Sequence, residues 1–337
     1  MVGQNRCWVL AKRPTGIVGR EHFDWQEQPV PSIKEGEFLV RNLWLSCDPT
    51  QRGWMEFDTY VPMLPLGEVM ASLAAGEVVE SEHPEFAKGD LVSGGFGWQD
   101  YAVSSGEGRL VPPQKIPPGV DVPTALSLFG VTGLTAYFGL LDVGQPNAGD
   151  TVLVSAAAGA VGSTVCQIAK LKDCRAVGIA GGRRKCDWLR DELRVDAIDY
   201  KGEDVQARLA QLCPNGVNVF FDNVGGEILD AGLASIAPHA RVVICGVMSA
   251  MNDFEERPGI RNHLFLLLQR ASMRGFLIFD YLDRASQAIG ELAAWASEGK
   301  IKTQVDVVEG LENAPDALRR LFTGENLGKQ LVKIADR

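Results

Sequence analysis

The chain has 337 residues, of which 46% are hydrophobic and 23% charged, and its formal net charge is -10. This length and composition predict a globular protein of two domains and exclude a disordered or collagen-like chain. The negative charge argues against nucleic acid or an anionic membrane as a partner, and no stretch reaches the roughly 18 apolar residues of a membrane span. The first residues lack the apolar core of a signal peptide, and the seven cysteines form no C-x-x-C pair, so we expect a cytoplasmic protein with reduced thiols.

The first third of the chain is rich in strand-like runs separated by Gly, Pro and charged turns. These runs predict a small β-barrel or sandwich-like domain. The prolines at 112, 113, 117 and 118 then indicate a rim or linker before the first helix of a second domain. The strand-like runs read CWVLAKRP, GEFLVRNLWLSCDP, PLGEVMASLAAGEVVESEH and GDLVSGGFGWQDYAV.

The middle of the chain carries a strand, glycine turn, helix and second strand in immediate succession. Thr151–Ser155 is typical of a strand buried in a parallel sheet, and Ser163–Lys172 and Ala176–Ala180 complete a βαβ unit. The turn has the A-x-x-G-x-x-G spacing, ending in Gly159 and Gly162. This spacing lets the backbone approach a pyrophosphate at the positive end of the helix, so it predicts a dinucleotide-binding turn.

Three cations follow the second strand of this unit. NAD-binding proteins place Asp or Glu there for the ribose 2′-hydroxyl, whereas this chain has Arg183, Arg184 and Lys185. Guanidinium and ammonium groups bind the oxygens of a dianionic phosphate, so the pattern predicts NADP(H) rather than NAD(H). The alternative is a solvated start of the next helix, with cations that oppose the helix dipole.

Later segments continue the α/β pattern and predict a doubly wound parallel sheet. The tail has strand-like runs at 301–308 and 330–334 around a helix at 314–322, and it is expected to rejoin the first domain. The predicted strands are Ala197–Tyr200, Val217–Asp222, Ala240–Cys245 and Met273–Phe279, and the predicted helices are Asp204–Leu212, Glu227–Ile236, Pro258–Gln269 and Leu282–Gly299.

Six stretches together resemble the medium-chain dehydrogenase/reductase superfamily. The resemblance is closest to its zinc-free NADPH-dependent double-bond reductases, which include alkenal/one, prostaglandin and curcumin reductases. The stretches are LSCDPTQR at 45–52, GLTAYFGLLDV at 133–143, AAAGAVGS at 156–163, FFDNVGGE at 220–227, ICGVMS at 244–249 and GENLGKQLVK at 324–333.

The resemblance implies an α/β protein of two domains with a cleft between them. Residues 1–122, completed by 300–337, would form a GroES-like β-rich catalytic domain, and residues 123–299 would form a Rossmann domain that binds NADP(H). It also implies a homodimer joined through edge strands of the cofactor sheet. The partner in catalysis would be a small α,β-unsaturated carbonyl compound.

The resemblance further implies which residues contact the cofactor. The glycine turn would meet the pyrophosphate, Lys185 and Tyr200 the 2′-phosphate, and Asn326 would close over the nicotinamide. The expected contacts are Ala158, Gly159, Ala160, Val161, Gly162, Arg183, Arg184, Lys185, Tyr200, Asn223, Cys245, Gly246, Ser249, Phe276, Leu277, Ile278 and Asn326.

Metal chemistry is not expected in this chain. Cys47 stands where zinc-dependent members of the superfamily place a ligand, but Leu66-Gly67-Glu68 replaces their Gly-His-Glu stretch. A catalytic zinc needs about three protein ligands, and one thiol does not supply them. None of the four histidines, His22, His83, His239 and His263, falls at a matching position.

The reaction that the resemblance implies is hydride transfer from NADPH to the β-carbon of an enone or enal. Two tyrosines customary in the family are replaced by Thr50 and Leu268, so the group that polarises the carbonyl is open. Two alternatives remain: an NADPH-dependent quinone reductase of the same superfamily, and an NADPH-binding sensor or structural protein without turnover.

Hydroxyl groups, of the protein or of the cofactor ribose, are the candidates for polarising the carbonyl, because no Lewis acid is expected. Tyr60, Thr50 and Tyr101 lie on the catalytic half, and Tyr60 is favoured because apolar and aromatic residues surround it in sequence. Arg52 is interpreted as an ion-pair partner of Asp48 that shapes the first loop.

Overall fold

Two compact units divide the chain of this computed structural model, which describes residues 3–108, 111–252 and 259–337. The first unit comprises Met1–Leu126 and Val305–Arg337, and the second comprises Ser127–Gln304. Each unit has its own sheets and its own buried apolar cluster.

The first unit is built from short strands. Its buried cluster includes Trp8, Phe38 and Trp98, which are at most 2% exposed. Its elements up to the start of the second unit are β1 (Gln4–Leu10), β2 (Phe23–Pro29), β3 (Phe38–Ser46), α1 (Thr50–Trp54), β4 (Ala74–Ser81), β5 (Leu91–Gly94), β6 (Tyr101–Ser104), β7 (Gln114–Lys115) and α2 (Val122–Leu126).

The second unit alternates helices with strands. A π-helical turn at Gly139–Gly144 follows the first helix of this series, and a 3-10 turn at Ile278–Arg284 precedes its last helix. The elements are α3 (Val131–Phe138), β8 (Thr151–Ser155), α4 (Ala160–Leu171), β9 (Arg175–Ala180), α5 (Arg183–Asp191), β10 (Asp196–Asp199), α6 (Val205–Leu212), β11 (Val217–Asp222), α7 (Gly226–Leu233), β12 (Ile236–Ile244), α8 (Leu264–Leu268), β13 (Ser272–Gly275) and α9 (Ala285–Ser297).

The tail returns to the first unit as β14 (Val305–Glu309), α10 (Ala314–Thr323) and β15 (Lys329–Lys333). β15 pairs antiparallel with β3, and Leu331 lies opposite Ser46. The resulting seven-stranded sheet has the order β14-β15-β3-β4-β5-β7, with β6 also paired to β3, while β1 and β2 form a separate hairpin sheet. The tail, which was expected to rejoin the β-rich half, pairs with that half through β15.

The sheet of the second unit is parallel throughout and has the order β10-β9-β8-β11-β12-β13. This is the strand order of a dinucleotide-binding Rossmann sheet, with the reversal between β8 and β11. The central strands are almost fully buried, as their continuous apolar runs predicted. The predicted fold class, a β-rich domain with a doubly wound parallel domain, is confirmed.

Several predicted boundaries in the second unit were wrong, including the start of β12, which lies at Ile236 rather than Ala240. α4 begins at Ala160 rather than Ser163, so the last glycine of the turn lies inside the helix. The sixth strand ends at Gly275 instead of continuing to Phe279, because its neighbour β12 ends at Ile244, the residue opposite Gly275. The helix predicted at Pro258–Gln269 covers only Leu264–Leu268 in the described part, and Pro258 lies outside the described residues.

Candidate functional site

The glycine turn follows directly on β8. The N–H of Gly159 donates to the carbonyl of Ala156 at 2.9 Å, and α4 begins at the next residue. A Cβ at Gly162 would lie 2.4 Å from the Ala156 oxygen, so only glycine lets the helix pack this closely. The first N–H groups of α4, at Ala160 and Val161, have no acceptor within the helix and favour an anion.

Ala156 and Ala158 occupy the turn in different ways. Ala156 has a φ of 48°, in the left-handed region that favours glycine, although it stands in the first place of the A-x-x-G-x-x-G spacing. Ala158 is only 1% exposed, so it packs inside the protein.

A buried hydrogen-bond network joins the ends of β8 and β11. Ser155 Oγ donates to Asp222 Oδ1 at 2.6 Å, and it accepts from the N–H of Asn223 at 2.8 Å. Asn223 Nδ2 donates to the Ser155 carbonyl at 2.7 Å, and the N–H of Gly225 donates to Asp222 Oδ2 at 2.8 Å. Burial raises the pKa of Asp222, and the hydrogen bond from Ser155 partly offsets that rise. The network fixes Asn223 at the strand-order reversal, where doubly wound sheets bind ligands.

The predicted cations lie in the first turn of α5. Arg183 is the first helical residue, and its side chain is 93% exposed. Its Nε lies 3.2 Å from a carboxylate oxygen of Asp187, one turn along the helix, which is a weak surface pair. Arg184 and Lys185 follow in the same turn, so three cations stand at a helix start without an acidic residue in that turn.

Asp199, at the end of β10, is a carboxylate near these cations that the sequence analysis missed. Its Oδ1 accepts from the N–H of Gly182 at 2.7 Å and from the N–H of Lys201 at 3.0 Å. The Tyr200 ring lies over Gly181, where an added Cβ would be 2.8 Å from the ring, and 46% of Tyr200 is exposed. Asp199 thus holds the turn that precedes the cations. Its place at the end of the parallel strand beside β9 is the sequence signal that could have identified it.

The segment after β12 packs on the Asn223 turn. The N–H groups of Cys245 and Gly246 donate to the Asp222 carbonyl at 2.8 and 3.2 Å, and Ser249 Oγ donates to the Val224 carbonyl at 2.7 Å. Burial of the thiol raises the pKa of Cys245 to about 12. The structure therefore brings together the predicted residues of this segment with Asn223.

The residues after β13 do not share one environment. The Phe276 ring packs against Phe221, with 6.4 Å between ring centroids, and it occupies the space that a Cβ at Gly139 would need. Leu277 is 42% exposed, and Ile278 is buried at the start of a 3-10 turn. Phe276 is thus a packing residue, and Leu277 is the exposed side chain of the three.

Two of the three candidate hydroxyls are in contact. Thr50 Oγ1 and Tyr60 Oη are 2.7 Å apart, and the Tyr60 ring meets the Trp54 ring edge-on at 6.5 Å between centroids. Burial raises the pKa of Tyr60, although 39% of the residue is exposed, and the hydrogen bond with Thr50 opposes the rise. Tyr101 lies on β6 opposite Arg41, and its N–H donates to Asn5 Oδ1 at 2.9 Å.

The expected ion pair between Arg52 and Asp48 was wrong. Arg52 is 1% exposed, and its guanidinium binds Glu56 at 2.5 Å and the carbonyl of Pro14 at 2.9 Å. Asp48 instead pairs with Lys329, whose Nζ lies 2.5 Å from Asp48 Oδ1. Arg52 is closer to Asp48 in sequence, but the fold brings Lys329 to Asp48 because β15 pairs with the end of β3.

Asn326 precedes β15 in a turn that the first unit holds firmly. It is 7% exposed, and its Nδ2 donates to the Gly328 carbonyl at 3.0 Å. The N–H of Leu327 donates to Asp306 Oδ2 at 3.1 Å, and both oxygens of Asp306 accept from Arg320 Nη2 at 3.0 Å. These hydrogen bonds and the Asp306–Arg320 ion pair therefore fix the position of the turn.

Neither a metal centre nor a membrane helix is found in the described ranges. The structure there brings together no group of three His, Cys, Asp or Glu residues suited to a metal ion. Burial raises the pKa of the Cys47 thiol to about 12, so this thiol is neutral near neutral pH. No helix in residues 3–108, 111–252 and 259–337 is both long and apolar enough to span a membrane.

Comparisons with known proteins agree over almost the whole chain. Residues 6–111 match the family described as the N-terminal domain of oxidoreductase, and residues 195–332 match that described as zinc-binding dehydrogenase. The NADPH-dependent curcumin reductase of Escherichia coli is 40% identical, over 98% of this chain and 97% of that protein. The NADP(+)-dependent 2-alkenal reductase of Nicotiana tabacum is 38% identical, over 98% of each chain.

A solved structure supports the same assignment. CurA of Vibrio vulnificus, in complex with NADPH, superposes with a TM-score of 0.92 at 40% identity and covers 98% of this chain and 100% of that one. An identity of 40% over nearly the full length of both chains is higher than a shared fold alone requires. The chain is an oxidoreductase and belongs to the medium-chain dehydrogenase/reductase superfamily, in the double-bond reductase branch that includes the curcumin and 2-alkenal reductases.

Proposed function

We propose that this protein uses NADPH to reduce the C=C bond of α,β-unsaturated ketones and aldehydes. The observation that carries the proposal is the full-length similarity to reductases named for curcumin and for 2-alkenals. Both substrates contain a C=C bond conjugated to a carbonyl, which makes the β-carbon electrophilic. The cofactor is NADP(H), as it is in the related CurA complex.

The side chains and the backbone of the second unit suit this cofactor. A glycine turn leads into α4, and Gly162, the last glycine of its spacing, leaves no room for a Cβ. Arg183, Arg184 and Lys185 offer positive charge at the next helix start, which suits a 2′-phosphate. Asn223 lies at the strand-order reversal, buried and hydrogen-bonded. Together these features support pyrophosphate and 2′-phosphate binding by the residues predicted for it.

The reaction moves two electrons and two hydrogens onto the substrate. NADPH, when bound, supplies a hydride, which the β-carbon accepts. The electron pair of the C=C bond then shifts toward the carbonyl oxygen, giving an enolate, and a proton adds at the α-carbon. The products are the saturated carbonyl compound and NADP⁺.

The hydroxyl pair of Thr50 and Tyr60 is proposed to stabilise the enolate oxygen. A raised pKa keeps the Tyr60 phenol protonated near neutral pH, so it can donate a hydrogen bond where negative charge develops. Thr50 holds the phenol oxygen at 2.7 Å and so limits its position. Tyr101 remains a weaker candidate because it lies on a separate strand.

A substrate panel tests the proposal. NADPH oxidation is measured with a conjugated enone, an enal, a quinone and the matching saturated carbonyl compound, and each is repeated with NADH. The expected result is turnover of the enone and enal with NADPH and none of the saturated compound. Faster turnover of the quinone would favour a quinone reductase, and tight NADPH binding without any turnover would favour a sensor or structural protein.

We also propose a homodimer formed through the edge of the parallel sheet. β13 pairs with β12 on one side, and on its other side no described strand pairs with it. All four of its residues are exposed, and Leu267 and Leu268 just before it are 74% and 54% exposed. An unpaired edge beside apolar side chains favours pairing with a second copy. Light scattering after gel filtration should report a dimer that Leu267→Glu weakens; a monomeric wild-type protein would contradict this.

We also propose that the protein is cytoplasmic, on the basis of its cysteines. All seven are free thiols, and six of them are buried, which suits a reducing cytoplasm better than an oxidising space. Fractionation of cells that produce the protein tests this, and recovery of the protein outside the cytoplasm would contradict it.

A further inference from the structure

Lys329 is a cation buried at the junction of two loops in the first unit. It is 2% exposed, yet its ammonium lies at the start of β15, beside the end of β3. Nζ donates to the Cys47 carbonyl at 3.1 Å and to Asp48 Oδ1 at 2.5 Å. A buried ammonium is costly unless it is paired and hydrogen-bonded, so these contacts account for its presence there.

Asp48 is held from several sides. Its second oxygen accepts from Ser46 Oγ at 2.5 Å, and its N–H donates to Gln51 Oε1 at 2.8 Å. Gln51 is fully buried and donates through Nε2 to the Ala71 carbonyl at 2.9 Å. The Asp48 carbonyl in turn accepts from the N–H of Gln51 at 3.0 Å. The residue therefore anchors the first turn of α1.

That turn carries Thr50, whose hydroxyl contacts Tyr60. Lys329 also lies three positions after Asn326, whose turn precedes β15. The Lys329 ammonium thus joins the loop that carries Thr50 to the strand that follows the Asn326 turn. Only Pro49 separates the anchored Asp48 from Thr50, so movement of this anchor would move the hydroxyl.

We propose that Lys329 is a positioning residue, which acts through Asp48 to set the Thr50 and Tyr60 hydroxyls against the carbonyl oxygen of the substrate. The inference rests on the proposed function, because it assigns a purpose to the hydroxyl pair. The lysine itself does not touch the substrate, because it is 2% exposed and its ammonium donates to the Cys47 and Asp48 oxygens within the protein.

The first test needs no substrate. Tyrosine labelled with ¹³C at Cζ is titrated by NMR, and Tyr60→Phe identifies the Tyr60 signal among the five tyrosines. In Lys329→Met the Asp48 carboxylate loses its counter-charge, and because burial and the negative charge of Asp48 both raise the pKa of Tyr60, that pKa should rise further. An unchanged Tyr60 titration in a folded Lys329→Met protein would overturn the proposal, whatever the substrate is.

The second test uses the enone reaction. Lys329→Met should lower kcat by up to about 100-fold, because a displacement of about 1 Å in a catalytic group can cost that much. Substrate KM and the Kd for NADPH should change far less. Lys329→Arg keeps the positive charge and should restore part of kcat. Equal losses of kcat in Lys329→Arg and Lys329→Met, with both proteins folded, would overturn the role of the charge.

Two further variants distinguish a positioning role of Lys329 from a role in fold stability alone. Asp100→Asn removes a buried carboxylate of the same unit, which accepts from Arg6 Nε at 2.7 Å and has no link to α1 in the described contacts. It should lower the unfolding temperature and leave kcat and the Tyr60 titration unchanged. Lys329→Met combined with Asp48→Asn removes both charges, so stability should recover while kcat stays low. Recovery of kcat in this double variant would show that the pair only stabilises the fold and would overturn the proposal.

Discussion

The hydroxyl of Ser155 donates a hydrogen bond of 2.6 Å to Oδ1 of Asp222, which lies 67 positions later in the sequence. Both residues are 0% exposed, and they end the two strands between which the order of the parallel sheet reverses. The contact therefore supports the turn that carries Asn223 at the place where the cofactor is proposed to bind.

Ser155→Ala should destabilise the protein by about 1–3 kcal/mol at about pH 7, because a buried carboxylate loses a donor. The folded pKa of Asp222 is already above its unfolded value, so the folded state gains stability relative to the unfolded state as the pH falls through that folded pKa. The loss in the variant should shrink over the same fall in pH, as the carboxyl takes up its proton. Urea unfolding at several pH values measures this, and a loss that grows as the pH falls would contradict it.

Gly159 and Gly162 should respond differently to alanine. A Cβ at Gly162 would meet the Ala156 oxygen at 2.4 Å, whereas one at Gly159 would meet it at 3.2 Å. Gly162→Ala should therefore lower the free energy of unfolding by about 1–3 kcal/mol through overpacking. Gly159→Ala should fold nearly normally and mainly raise the Kd for NADPH, because the methyl group would obstruct the pyrophosphate. Thermal unfolding and cofactor titration of both variants decide the matter; equal unfolding losses would show that the turn relaxes.

The cations of α5 should set the preference for the phosphorylated cofactor. Arg183→Ala removes a charge-assisted contact worth about 1.5–3 kcal/mol, so the Kd for NADPH should rise about tenfold or more while that for NADH stays nearly constant. Arg208→Ala, on α6 of the same unit, removes an equal charge that pairs with Glu203 and serves as the control. Fluorescence titration with both cofactors measures the ratio. Equal affinity of the wild-type protein for NADH and NADPH would contradict this account of the cationic cluster.

Tyr60→Phe should lower kcat by about 100-fold or more, as loss of a hydrogen-bond donor to a developing oxyanion does in other enzymes. Thr50→Val should have a smaller effect in the same direction, because it removes only the partner of the phenol. Tyr101→Phe distinguishes the candidates, since its position on β6 predicts little change. Steady-state rates with a conjugated enone provide the measurement, and an unchanged kcat in Tyr60→Phe would remove this residue from the mechanism.

Protein purified without added metal should contain far less than one zinc per chain. The Cys47 thiol has a pKa of about 12, and Lys329 already binds the carbonyl of the same residue. A zinc ligand must be a thiolate, and the residues around Cys47 do not favour one. Elemental analysis and activity after treatment with a chelator test this expectation. Stoichiometric zinc, or loss of activity on chelation, would refute it.

Sequence patterns predicted the centre of the parallel sheet well because its strands β8 and β11 are almost wholly buried. Val217–Asp222 was predicted to the residue, since a continuous apolar run leaves few other choices. The start of α4 was misplaced, because Gly159 precedes the helix without a side chain that could cap it. The end of β13 was misplaced because a strand ends where its partner ends, and pairing is not visible in a local window.

Parts of the candidate site were predictable and parts were not. The glycine turn and the cations of α5 are local in sequence, so their spacing was sufficient to find them. The partner of Asp48 was not local: Lys329 lies 281 positions away and reaches it only because β15 pairs with β3. The contact between Thr50 and Tyr60 could not be foreseen as a pair, although both residues were candidates.

The burial of the cysteines has a consequence for an enzyme with the proposed substrates. Enones and enals are electrophiles that alkylate thiolates by conjugate addition. In this protein burial raises the pKa of every cysteine, reaching about 12 at Cys47, Cys166 and Cys245, so almost no thiolate exists near neutral pH. The catalyst would therefore resist covalent inactivation by the very compounds that it consumes.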